Sequence, residues 1–173
     1  MLAVVRDFRD RFGANAVPEE LQVTKNGIGR TMAYYEAGGN LAINRDYFNA
    51  QKMDAAYDGT VQSGFHPPRG NKSGIEAVVA HEMGHRMADV ATQRLASASS
   101  FSNETIERRI VDNAAKAIKA NGARGLAKQI SRYATKNYSE CIAEAVADVY
   151  CNGSKASKAS TAVYNELNKA LGR

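Results

Sequence analysis

The stretch SGIEAVVAHEMGHRMADV, residues 73–90, leaves a folding chain little choice. Ser73 and Glu76 stand in the capping-box pattern, in which each side chain satisfies a free backbone N–H at the first turn of a helix. Behind them Ile75, Val78, Val79, Met83 and Val90 give that helix one apolar, core-facing side. Two of the chain's three histidines, His81 and His85, fall four residues apart inside it, with Glu82 between them. Residues i and i+4 project from the same face of an α-helix, so both imidazoles can reach one metal ion. The H-E-x-x-H pattern therefore asks for a further ligand from elsewhere in the chain.

A chain of 173 residues fits a single domain over 1–173, folded as two lobes around a cleft. The expected division places the H-E-x-x-H helix in a lobe of residues 1–95 and the third metal ligand in a helical lobe of 96–173. The 44% hydrophobic and 24% charged contents are those of an ordinary globular protein. No apolar run approaches membrane-spanning length. Arg6, Asp7, Arg9 and Asp10 interrupt the first residues where a signal peptide needs its apolar region, so they read as an amphipathic helix and the expected location is cytoplasmic. Cys141 and Cys151 are ten residues apart in one expected helix. That spacing is about 15 Å along the axis, and a disulfide needs Cα atoms within about 7 Å.

Residues 21–26 read as a strand, and 31–44 as a hairpin turning at Gly38-Gly39. Residues 45–58 look helical and 59–72 form an irregular loop. Helices are then expected over 103–120, stopped by Asn121-Gly122, over 125–134, over SECIAEAVADVY before Asn152-Gly153, and around Val163, Leu167 and Leu171. The expected fold is α+β, a small N-terminal sheet or hairpin packed on the active-site helix and followed by a helical C-terminal lobe. Between Arg108 and Lys136 there are eight basic residues and one acidic residue. Arg124, Lys128, Arg132 and Lys136 recur every fourth position, as a stripe on one helical face. It reads as a solvated face, with nucleic-acid binding as the lesser alternative.

Zinc suits two imidazoles and a carboxylate, and a catalytic zinc keeps one position open. Glu82 can sit beside such an ion without binding it, take a proton from water and deliver one to a leaving amine. In the longer pattern H-E-x-x-H-x-x-G-x-x-H, a glycine and a third histidine would fall where this chain has Ala88 and Ala91, which excludes that class. The other class takes an acid from a later helix. Glu140, Glu144 and Asp148 line one face of an otherwise apolar helix, where burial without a cation or hydrogen bonds is costly, so all three are expected to face His81 and His85. The residues alone leave the third ligand open among Glu140, Glu144 and other acids such as Asp112, and Asn137 with Glu140 also fits a helix cap.

HEMGHRMAD followed by RYATKNYSECIAEAVADVY resembles the catalytic domain of the anthrax lethal factor-like metalloproteases, a gluzincin group. The resemblance covers residues 73–95 and 130–152. It implies a zincin-like fold and a zinc metallopeptidase acting on a peptide or protein substrate. It implies one zinc ion on His81, His85 and Glu140, with Glu82 as general base and Glu144 orienting a ligand histidine. It matches Tyr133 to an active-site tyrosine whose hydroxyl stabilises the oxyanion, although Tyr133 is also in line with Leu126 and Ile130, as a core tyrosine would be. The resemblance extends to phage-encoded head-associated proteins. The alternative is thus a catalytically idle, zincin-like binding or assembly domain of a larger phage or toxin protein. Asp89 is read as solvent-facing and His66, in FHPPRG, as an ordinary loop residue. The Tyr-rich hairpin offers an edge on which an extended peptide could pair.

Overall fold

Seven α-helices and one three-stranded sheet make up the computed structural model, which describes residues 2–24, 31–36, 39–97 and 101–173. The fold is α+β and mostly helical. After helix α1 (Leu2–Phe12), which buries Val4 and Phe8, Gly13 at φ 86° ends the run. Strands β1 (Glu20–Thr24), β2 (Ala33–Glu36) and β3 (Asn40–Asn44) form a sheet of order β1-β3-β2. β2 and β3 are the expected antiparallel hairpin, with Ala33 opposite Ile43, and β1 runs parallel along the other side of β3. The central β3 is buried through Leu41 and Ile43, and β2 is left as an edge. Gly39 turns the hairpin at φ 112°, a left-handed value that glycine adopts freely. Gly38 of the expected turn, Lys25 and Asn26 of the expected strand, and residues 98–100 lie outside the described residues.

Helix α2 (Ala50–Gln62) starts later than the sequence suggests, because the Asn49 side chain accepts the Lys52 N–H at 3.1 Å and caps it there. Helix α3 (Gly74–Ala96) carries both halves of the capping box, with Glu76 Oε2 accepting the Ser73 N–H at 2.9 Å. Helices α4 (Asn103–Ala117), α5 (Gly122–Ala127), α6 (Tyr138–Asn152) and α7 (Lys158–Ala170) complete the fold. Met83 and Met87 of α3, Ile142 and Val146 of α6 and Leu167 of α7 are fully buried in one continuous core.

Helix α2 also runs to Gln62, into the segment expected as loop, and two further elements depart from expectation. Helix α4 stops at Ala117, and Asn121 instead stands at the start of α5. The expected helix over 125–134 ends at Ala127; the chain then turns, and Tyr133–Thr135 form a short 3-10 turn. The cause is a competing set of backbone bonds: Arg132 N–H donates to Gly64 O at 2.9 Å and Tyr133 N–H to Phe65 O at 3.0 Å. Arg124, Lys128, Arg132 and Lys136 therefore do not form a stripe on one helix. Cys141 and Cys151 are buried and unbridged on α6, and burial pushes both thiols up to about 12. Among the described residues, no helix is long and apolar enough to cross a membrane.

Candidate metal centre

The site exists because two helices touch without side chains between them. A Cβ built on Gly84 would lie 2.6 Å from the Ala143 Cα, so only glycine lets α3 approach α6 this closely. That contact sets His81 and His85 of α3 against Glu140 and Glu144 of α6. Glu140 Oε2 lies 3.2 Å from His81 Nε2 and 3.3 Å from His85 Nε2. The oxygen is buried and accepts no aligned hydrogen bond. Three possible ligand atoms thus converge, and a buried carboxylate oxygen with no aligned donor costs free energy unless a cation, a metal ion or a protonated imidazole, meets it.

Glu144 is in the opposite condition. Its Oε1 lies 2.7 Å from His81 Nδ1 and 2.8 Å from His66 Nδ1, and its Oε2 accepts the Ser131 hydroxyl at 2.6 Å. The side chain is 1% exposed and both oxygens are occupied. With Nδ1 protonated toward Glu144, His81 presents Nε2 to the same point as His85, the arrangement by which an outer carboxylate orients a ligand histidine. Two groups of side chains could hold a metal ion: His81, His85 and Glu140, and His66, His81 and Glu144. The second is already closed by its own hydrogen bonds; the first has an oxygen left over.

His85 is oriented differently. Its Nδ1 lies 3.0 Å from the Ser139 hydroxyl, and Ser139 in turn lowers the Glu107 carboxyl of α4 against the burial that raises it. Asn137 does cap α6, accepting the Glu140 N–H at 2.7 Å, but this uses the Glu140 backbone and leaves its carboxylate to the site. Lys136 donates to Glu140 Oε1 at 2.7 Å and to the Tyr133 hydroxyl at 3.0 Å. Tyr133 stacks on His81 with ring centroids 5.8 Å apart. It therefore belongs to the site and is not a plain core tyrosine.

Burial and charge act together here. Burial alone would push the Glu140 carboxyl up, but the His81 and His85 imidazoles and Lys136 overcome it and hold the carboxyl far below the usual range. For Glu144 the same contest, against burial and in favour of His66 and His81, ends at about 2. Burial pushes the Glu82 carboxyl up, helped by Glu140 and opposed by the adjacent histidines and the nearby Tyr35 backbone. Burial also raises the Tyr133 phenol, with Lys136 opposing.

Glu82, His81, His85, Tyr133 and Glu140 all line one cleft of about 470 Å³, walled on one side by Tyr34 and Tyr35 of the edge strand β2. A neighbouring cavity of about 550 Å³ shares His81, Glu82 and Tyr133 and continues past Tyr57, Phe65 and Val78.

Several expectations need correction. Asp148 does not face the histidines; it accepts Asn152 Nδ2 at 2.8 Å and the Ser157 N–H at 3.0 Å, bracing the start of α7. Asp112 belongs to neither metal-competent group. Asp89 accepts the Tyr35 hydroxyl at 3.0 Å and lines the cleft rather than facing solvent. His66 is no ordinary loop residue, since Glu144 holds it and the loop is tied down by Tyr57 donating to Pro67 O at 3.1 Å. Lys136, read from the sequence only as part of the basic stripe, was missed, although its spacing, three after Tyr133 and four before Glu140, sets it near both. Ser131 and Glu107 carry no such signal. Compared with protein-family models, with curated proteins and with solved structures, the chain matches none of them.

Proposed function

We propose that this chain is a zinc-dependent metallopeptidase of zincin-like architecture, with His81, His85 and Glu140 as the metal ligands. The observation that carries the reading is Glu140 Oε2, a buried acceptor without a donor, aimed at two Nε2 atoms beside the Glu82 carboxyl. Two imidazoles and one carboxylate are the donor set of a catalytic zinc site with a position left open. Zinc bound there would polarise the scissile carbonyl and lower the pKa of the attacking water toward neutrality.

The chain's own residues supply the remainder. Glu82 takes the proton of the attacking water as its oxygen bonds to the carbonyl carbon. The same carboxyl then delivers that proton to the amine nitrogen as the carbon–nitrogen bond breaks. The Tyr133 hydroxyl donates to the carbonyl oxygen as negative charge develops on it. Glu144 keeps His81 in the tautomer that offers Nε2. The open edge of β2 beside the cleft suits backbone pairing with an extended peptide.

Elemental analysis of the purified chain and a peptide-library digestion, each with and without chelator, test this reading. Glu82→Gln should retain the metal and lose hydrolysis by about 10²–10⁴-fold. A Glu82→Gln protein as active as the wild type overturns the mechanism. A metal-loaded wild type that cleaves nothing favours an idle binding domain.

A further inference from the structure

Lys136 takes no part in the chemistry above, yet its ammonium sits between the two groups that matter most. It is 2.7 Å from Glu140 Oε1, 3.0 Å from the Tyr133 hydroxyl and 4.8 Å from the centre of the Tyr133 ring. We propose that Lys136 is a positioning residue that restricts Glu140 to one-oxygen metal ligation and turns the Tyr133 hydroxyl proton toward the substrate. The proposal rests on the metallopeptidase reading.

The first half follows from counting lone pairs. A carboxylate free at both oxygens can take a cation through one or both of them. Here the ammonium occupies Oε1, and Oε2 is the oxygen left unpartnered opposite His81 and His85. One-oxygen ligation keeps the coordination number low and a position open for water and substrate. The second half follows from the hydroxyl inventory. A phenol carries one proton and accepts through its lone pairs. Because Lys136 can only donate, it occupies a lone pair of Tyr133 and leaves the proton for an acceptor, the adjacent Glu140, which raises the phenol, or a substrate carbonyl once a cation has taken up the Glu140 charge. Its positive charge also offsets that of Glu140, so that a bound cation keeps more of its pull on a carbonyl oxygen.

A role in stability does not account for the contact. The Lys136 side chain is 55% exposed against 9% for Glu140, so solvent screens the pair from one side and any gain in folding is smaller than that of a fully buried pair. Nor does helix geometry demand it, since Asn137 already caps α6.

Cobalt(II) is the probe, added to the wild-type chain, Lys136→Met and Lys136→Arg. The wild type should show the intense visible band of a four-coordinate site. Lys136→Met should bind the same amount of cobalt with about half that intensity or less, as Glu140 engages through both oxygens. In the zinc protein its kcat should fall about 10–100-fold while KM changes little. Lys136→Arg, which preserves a donor cation, should restore both readouts. A Lys136→Met protein with the wild-type spectrum and kcat overturns the proposal and leaves the peptidase reading standing. An altered spectrum in a protein whose wild type cleaves no peptide supports the ligation role and overturns the peptidase reading. A wild type that binds no cobalt overturns both.

Discussion

His81 and His85 are one helical turn apart on α3, yet the two halves of the site are built by different rules. On the inner side His81 meets Glu144 directly, at 2.7 Å, and Glu144 is 1% exposed with every oxygen bonded. On the outer side the His85 Nδ1 meets the Ser139 hydroxyl instead of a carboxylate, and Glu107, the acid beyond Ser139, is partly buried on a different helix. The difference follows depth. A charge removed from water must be met by protein groups in full, because none of its bonds can be left to solvent. Near the mouth of the cleft, water can replace an imperfect partner, and a hydroxyl relay suffices. The inner half is thus a property of the α3–α6 pair, and the outer half needs α4 as well.

An effect on both halves at once should come from the one residue they share. Alanine in place of glycine inside an exposed helix is stabilising by about 1 kcal/mol. At Gly84 the added Cβ would meet the Ala143 Cα at 2.6 Å, backbone against backbone, so the sign should reverse. Gly84→Ala is expected to lose about 1–3 kcal/mol and to weaken metal binding at both histidines together. Urea unfolding and metal titration check this. An unchanged or raised unfolding midpoint would show that the helix pair does not depend on close contact here.

The next test separates the halves. Glu144→Ala leaves the His81 and His66 N–H groups and the Ser131 hydroxyl without their acceptor in a buried place. It should cost about 3–5 kcal/mol in stability and about 10–100-fold in metal affinity. Glu107→Ala removes only the far end of a relay and should cost less than about 10-fold in affinity. Equal losses in the two variants would erase the distinction between a direct inner partner and a relayed outer one.

The same depth rule explains what could be read from the residues. The capping box of Ser73 and Glu76, the i,i+4 histidines and the acids spaced on α6 are local patterns, and α3 and α6 formed as they indicate. Three acids on one face did not mean one shared partner: four residues is slightly more than one turn, so the face drifts and Asp148 reaches the α7 cap instead. The helix expected over 125–134 failed because Gly64 and Phe65 compete for the backbone donors of Arg132 and Tyr133. That competition comes from a loop more than sixty residues away, and no local spacing encodes it. Ser131 and His66 were hidden for the same reason, each reaching Glu144 only once that loop is in place.

The outermost contact should matter least. The Tyr35 hydroxyl donates to Asp89 at 3.0 Å and accepts from Arg86 at 3.2 Å, tying the edge strand β2 to α3 beyond His85. Both partners keep some access to water, with the Asp89 side chain 15% exposed. Tyr35→Phe should therefore cost only about 0.5–1.5 kcal/mol, the net worth of an ordinary hydrogen bond. Metal affinity should stay at the wild-type value, because neither histidine of the proposed metal site bonds to this group. If peptide pairs along β2, the same variant should instead raise KM, since the strand's hold on α3 is loosened where the peptide lies. A fall in metal affinity as large as that of Glu107→Ala would mean that the sheet supports the metal ligands directly, and the division between inner and outer halves would then have to be drawn by element rather than by depth.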